Sequence, residues 1–281
     1  MHIRQSNAGT TGSGTAGSIS TSLPSATLTG TILFLLLSTD FTVSTPAGWT
    51  LDRSQVNNNA HYVFRKTASG GESSWNITLG NGAAIAAWAV IEAQGLIASP
   101  LDVVASGGSG TAASTRPTGT TAATAQDNES ALATWGTLPA SGATTPAITF
   151  LSSGGSVLDE VFTTRSGNYN VGLAYTQWSA TVAGFGYSDT ATFAANTAST
   201  GIIAVYKTAA AVYEQHSYRF RNDDGDEDGA TWAAPVNTNT QQPVDTIKRL
   251  RFLIDTTNDA PSTQYQLEYR KVGDPTWTKV S

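Results

Sequence analysis

The chain has 281 residues, 40% of them hydrophobic, with 15 Lys/Arg, 21 Asp/Glu and no cysteine. These values exclude a wholly disordered chain, a disulfide scaffold, thiolate metal sites and cysteine nucleophiles, and they lack the basic excess that nucleic-acid binding draws on. The charge is unevenly placed: residues 1–207 hold 7 Lys/Arg and 10 Asp/Glu, while residues 208–281 hold 8 and 11. That shift predicts a large, weakly charged, Thr/Ser/Ala/Gly-rich β body followed by a small charged β appendage.

In chain order, the opening Met1–Asn7 lacks the apolar core of a signal peptide, and the absence of cysteine suits folding in a reducing cytosol. Residues 5–18 are all Gly, Ser, Thr, Ala, Asn or Gln. Such a segment buries no core, so residues 1–18 are expected as an arm, either extended on a neighbouring surface or flexible. Residues 19–207 then read as an all-β, jelly-roll-like sandwich. The run Ile32–Leu37 is far shorter than the roughly 20 residues a membrane span needs and reads as a strand buried on both faces. Tyr62–Lys66 alternates. So does Trp75–Leu79, with Trp75, Ile77 and Leu79 on one face. Residues 83–93 are alanine-rich, but Gly82 and Gly95 bracket them and β-branched residues recur, so they too are read as a strand. Further strands are expected at 101–105, 130–135, 146–151, 156–163, 168–176 and 200–207. Turns are expected at Ser106–Gly110, Ser141-Gly142, Ser153–Gly155 and Ser166–Asn168. Many short strands and no sustained 3.6 period indicate a sandwich or jelly roll.

Residues 208–212 form the expected linker, and 213–281 a small charged β-sandwich. In Tyr213–Arg221 simple alternation places Tyr213, Gln215, Ser217, Arg219 and Arg221 on one side and Glu214, His216, Tyr218 and Phe220 on the other. An acidic loop follows, then strands at Ile247–Ile254, Gln264–Arg270 and Thr276–Val280. The last two resemble the central hairpin of fibronectin type III modules, Tyr-x-Leu-x-Tyr followed by Trp-x-x-Val. Such a module needs about seven strands and five are legible here. The appendage is therefore expected to be a smaller sandwich or to borrow strands from a neighbour.

Candidate sites are few. Gly12–Gly17 fits GxGxxG, but no buried strand precedes it and no helix follows, so a dinucleotide site is excluded. Asp224, Asp226 and Asp228, ending at Gly229, match the first half of a calcium loop. The twelfth position is Pro235, which supplies no carboxylate, so a solvated acidic hairpin is the favoured reading and calcium the alternative. His2, His61 and His216 have no ligand-spaced partners. Asp159 and Glu160 are adjacent on a strand and face opposite ways, so they cannot themselves form a glycosidase pair. No cofactor and no catalytic residue is assigned. Most aromatics read as core; Tyr169, Tyr175, Trp178 and Tyr187 lie in a Gly/Asn-rich region and are the candidate glycan contacts.

Ile3–Asn7, the apolar strand 31–37 and the turn Thr45–Leu51 followed by the alternating Tyr62–Lys66 resemble jelly-roll virion proteins of tailed bacteriophages. Tyr218–Gly225 and Tyr265–Gly273 are similar to small β domains appended to phage structural proteins. The resemblance implies a non-enzymatic virion protein made in the host cytoplasm, most simply a capsid decoration or head-fibre protein. It implies as partners further copies of itself (a trimer), the major capsid protein and other virion proteins. A tail or baseplate fibre subunit and a carbohydrate-binding adhesion module, with a host surface glycan as partner, are the alternatives. The arm would dock on the particle, and neither nucleic acid nor membrane is an expected partner.

Overall fold

A computed structural model describes residues 1–11, 16–57, 59–80, 84–137, 148–151, 161–163, 172–180, 182–210, 212–222, 224, 229, 231–241, 247–257, 268–269, 273, 275–276 and 278–279. Among these there is no helix; the chain is all-β, and its contacts divide it into a body, Met1–Ala209, and an appendage, Ala210–Ser281.

The body is a β-sandwich. Its first sheet runs in the order β1 (His2–Thr10), β7 (Ala86–Gln94), β3 (Ile32–Thr39), β5 (Ala60–Thr67), β4 (Thr50–Val56). A small sheet of β2 (Ser18–Ser22) and β6 (Ser74–Thr78) lies outside it. The second sheet runs β10 (Ile148–Leu151), β13 (Thr190–Thr208), β9 (Glu129–Thr137), β12 (Gly172–Ala180), β11 (Val161–Thr163), with β8 (Leu96–Pro117) also paired to β13. All described pairings are antiparallel. The sheets divide the sequence rather than interleaving it. The chain passes from one to the other at Gly95, whose φ of 77° lies in the left-handed region that glycine tolerates.

The strand β3 shows why two apolar layers form. All eight of its residues are buried. Ile32, Phe34 and Leu36 face the second sheet and pack with Leu132, Tyr175, Ile202 and Tyr206. Leu33, Leu35 and Leu37 face the other way and pack with Trp49, Ile77, Leu79 and Trp88 beneath the small sheet. A run without alternation is what a strand covered on both faces requires. A third cluster, built on Trp135, Phe193, Ile203 and Val205, covers the outer face of the second sheet. Each fully buried side chain of this size contributes about 1.5–3 kcal/mol.

Of the two expectations for residues 1–18, an extended arm and a flexible segment, the described part is extended: residues 2–10 are β1, hydrogen-bonded along β7 from His2↔Gln94 to Thr10↔Ala87. Its polar side chains serve as fasteners. Asn7 Nδ2 donates to the Ser22 carbonyl at 2.9 Å, Gln5 Nε2 donates to the Ser25 carbonyl at 3.0 Å, and Arg4 and Gln5 both donate to Glu92. Gly9 lies under the Trp88 ring, where a Cβ would meet Trp88 Cζ2 at 2.7 Å. The expected turn at Ser106–Gly110 is instead the middle of β8. A Cβ on Gly107 would fall 2.5 Å from the Pro117 carbonyl oxygen, so glycine there serves close backbone approach.

In the appendage, β14 (Val212–Asn222) pairs with β15 (Lys248–Thr257), and β16 (Glu268–Tyr269) pairs with β17 (Thr278–Lys279). The segment around Trp232 runs along the other edge of β14: Ala233 N–H donates to the Phe220 carbonyl at 2.9 Å and Asn237 N–H to the Tyr218 carbonyl at 2.8 Å. A bulge lies between Gln215 and Ser217, at His216. The expected segments 146–147, 156–160, 168–171 and 264–267, and Trp277, lie outside the described residues.

Candidate functional site

Several ionisable groups of the body are buried, Asp52, Glu92, Arg116, Glu129 and Asp189 among them, while Arg53 and Asp127 are exposed. Glu92 is fully buried on β7. It accepts from Arg4, Gln5, the Leu28 amide at 2.8 Å and the Thr31 hydroxyl at 2.8 Å. Burial alone would raise its pKa; these donors outweigh it and hold the carboxyl below the usual range. Asp52 sits where β4 meets the second sheet. Arg65 Nε donates to its two oxygens at 3.1 and 3.2 Å, and the Tyr206 hydroxyl donates at 3.0 Å. Here burial wins over the Arg65 charge and the carboxyl is raised. Both groups tie separate elements together, which buried charge does only when hydrogen-bonded.

A second ionic group forms on neighbouring strands of the second sheet. Lys207 on β13 contacts Asp102 on β8 at 2.8 Å. The Ala125 amide donates to the same carboxylate at 2.7 Å. Glu129, the first residue of β9, is fully buried beside Asp102. Burial first, then the Asp102 charge, push the Glu129 carboxyl up to about 7. Burial works against the charge of Asp102, yet Lys207 and Ala125 hold its carboxyl below the usual range. Asp189 is raised to about 6 by burial, opposed by the Thr190 amide. His61 is fully buried in a hydroxyl-lined seam, its Nε2 lying 3.2 Å from Thr134 Oγ1, and burial lowers it to about 3. The seam closes because Gly136 has no side chain: a Cβ there would meet Ser38 Oγ at 2.6 Å and Asn59 Nδ2 at 2.8 Å.

Sequence reasoning found none of these groups, since their members lie far apart in the chain. The rarity of charge in residues 1–207 is the only trace of them in the sequence.

The groove described on the body holds no ionisable side chain. It has a volume of about 260 Å³ and is lined by Ser44, Thr45, Pro46, Ala47, Asn76, Thr78 and Gly80. Its wall is the turn after Thr45, where the Trp49 amide donates to the Pro46 carbonyl at 3.0 Å and Gly48 has φ 80°, a type II geometry. Trp49 is buried beneath and meets Trp75 edge-on at 6.0 Å. On β6 Ile77 turns inward, so Asn76 and Thr78 turn out. Hydroxyls, one amide and small apolar groups can hydrogen-bond a neutral polyhydroxyl ligand; they offer no acid or base.

The residues expected to contact glycan do not converge. Tyr175 is buried in the central core at 3% exposure, out of reach of a ligand. Simple period-2 placement could not separate an inward from an outward tyrosine there. Tyr187 is half-buried, and its hydroxyl donates to the Val182 carbonyl at 2.9 Å, which closes a loop. Tyr169 and the side chain of Trp178 lie outside the described residues, as do Gly12, Gly14, Asp159 and Glu160. Of the possible calcium ligands, Asp226 and Asp228 also lie outside them. Asp224 accepts from the Thr231 hydroxyl and from its amide at 3.0 Å. Those bonds, the hydroxyl first, hold its carboxyl low. Among the described residues no three His, Asp or Glu side chains are placed to hold a metal. The histidines sit on three separate strands, β1, β5 and β14.

On the appendage most of the described charged side chains are exposed, Arg221 excepted at 4% exposure. Arg219 lies over the Trp232 ring at 4.2 Å and Arg251 at 5.7 Å. Among the described residues of this unit no apolar side chain reaches the buried class, and Val212, Trp232, Val236, Ile247, Leu250 and Leu253 are exposed.

No family model, no curated protein and no solved structure matches the chain.

Proposed function

We propose that this chain is a non-enzymatic structural protein of a tailed-bacteriophage particle, a capsid decoration or head-fibre protein. The observation that supports this reading best is the chemical division of the molecule. The body buries several of its few ions and is poor in charge, whereas the appendage is rich in exposed charge and, among its described residues, has no buried apolar side chain. Surfaces of the first kind associate through buried area and sheet edges more than through ion pairs. The resemblance of Thr45–Leu51, Tyr218–Gly225 and Tyr265–Gly273 to phage virion proteins points the same way. The reading assigns the body to the shell and copies of the chain to each other. Residues 2–10 are paired along the body's own β7, and the reading therefore assigns attachment to the body surface.

The test is co-sedimentation of the full chain with capsids assembled without it. Saturable binding at a fixed ratio to the shell subunit is expected; full recovery in the supernatant refutes the assignment.

The groove between Ser44 and Gly80 favours a second reading, a carbohydrate-binding adhesion module. A glycan-array signal lost on Asn76→Ala and Thr78→Ala would select it; an array without signal removes it.

A further inference from the structure

The most unusual charge arrangement in the molecule lies on one face of the β14–β15 pair. Cross-strand partners there are Glu214 with Asp255, Ser217 with Leu253, Arg219 with Arg251 and Arg221 with Arg249. Three of the four are like-charge pairs, which are destabilising when directly opposite on a sheet.

The bulge at His216 creates this face. Glu214 and Arg219 are five residues apart, so regular alternation puts them on opposite sides, as the sequence alone predicts. One extra residue at the bulge returns them to the same side. The face then reads, from base to tip, an acidic pair, a leucine and the Arg219–Arg251 pair, with Arg249 exposed beyond it and Arg221 buried at 4% exposure. Glu214, Asp255, Arg249 and Arg251 are exposed, and Leu253 is 53% exposed between the two signs of charge. Trp232 lies against the basic half, 4.2 Å from the Arg219 guanidinium.

We propose that this face docks on the same face of a second copy of the chain, the two related by a twofold axis through Leu253. Asp255 and Arg251 are each two residues from Leu253. A strand rises about 3.3 Å per residue, so each lies roughly 7 Å from the axis, on either side. A twofold rotation that reverses the strands sets Asp255 of one copy on Arg251 of the other, Glu214 on Arg219, and Leu253 on Leu253. The Glu214/Asp255 and Arg219/Arg251 pairs of one copy each face a pair of opposite sign on the other; the Arg221/Arg249 pair lies beyond them, opposite Val212 and Thr257. An isologous contact needs such a self-complementary patch. Arginine, tryptophan and a central apolar residue are what interface centres favour. A polyanion is the poorer occupant: the Glu214/Asp255 pair repels it from half the face, and residues 208–281 carry 11 acidic against 8 basic groups. The twofold contact also departs from the threefold assembly expected from the sequence, and it does not depend on the virion assignment.

Sedimentation velocity on the full chain tests this with two paired reversals: Glu214→Arg with Asp255→Arg, and Arg219→Glu with Arg251→Glu. The unmodified chain is expected to form dimers at low salt. Their dissociation constant should rise about tenfold or more between 0.1 and 1 M salt, as the screening length falls from about 10 to about 3 Å. Each reversed chain alone should be monomeric, and an equimolar mixture should restore dimers. Recovery on mixing shows that both variants are folded. An unmodified chain that is monomeric or threefold, reversals that leave association unchanged, or a mixture that stays monomeric would each overturn the proposal.

Discussion

Glu92 and Glu214 mark the difference between the two units. Glu92 is fully buried, with four groups donating to it. Glu214 is exposed, opposite Asp255 on the neighbouring strand. The same side chain is a fastener in one unit and a displayed charge in the other. The body's apolar layers are deep enough to bury Glu92 together with its donors; among the described residues of the appendage no apolar side chain is buried. Charge density alone therefore says little about function. What matters is where the charges are held.

The contrast can be broken first at the core. Trp135→Ala removes a fully buried ring and leaves the Arg116 carbonyl without its indole donor at 2.9 Å. The body should lose about 3–5 kcal/mol, read by urea unfolding followed through the body's tryptophan fluorescence. A loss below about 1 kcal/mol would mean that this layer is not a core.

The next largest effect is on pH dependence. The folded pKa of Glu129 is about 7 against an ordinary 4.5. A raised carboxyl stabilises the fold below the ordinary value, and that contribution fades as the pH climbs through the folded one. Relative to Glu129→Gln, the natural chain should lose up to roughly 3 kcal/mol between the two pH values. Taking the difference between the two proteins cancels Asp189, which acts in the same sense, and His61, whose lowered pKa acts in the opposite one. Parallel stability–pH curves for the two proteins would contradict the burial of Glu129.

Glu92→Ala should cost about 2 kcal/mol, since it strands buried donors. Its sharper signature is faster amide exchange across residues 2–10, the strand it pins. Unchanged exchange there would show that β1 is held by its ladder alone. The smallest effect is expected from Trp232→Ala. It removes a cation–π contact worth about 0.5–1 kcal/mol at an exposed site and should leave the body's transition unmoved in differential scanning calorimetry.

The strands were legible where alternation or uninterrupted apolarity is strong, as at Ile32–Leu37 and Trp75–Leu79, because one or two buried faces write themselves into the side chains. The division near residue 208 was legible from charge. The polar strand β1 was not. It gains its place through side-chain hydrogen bonds to Ser22, Ser25 and Glu92, and composition does not distinguish that from a loose arm. Nor was the bulge at His216, which reverses the face of Glu214 with no glycine or proline to announce it. The ionic clusters escaped because their members lie tens of residues apart and meet only once the sheets have formed.

We propose that this protein belongs to a particle, and quantitative mass spectrometry of purified particles tests that most directly. The account predicts peptides of the chain at a fixed ratio to the major shell subunit, with hundreds of copies if it decorates the head. Particles of full infectivity that contain none of it would contradict the account.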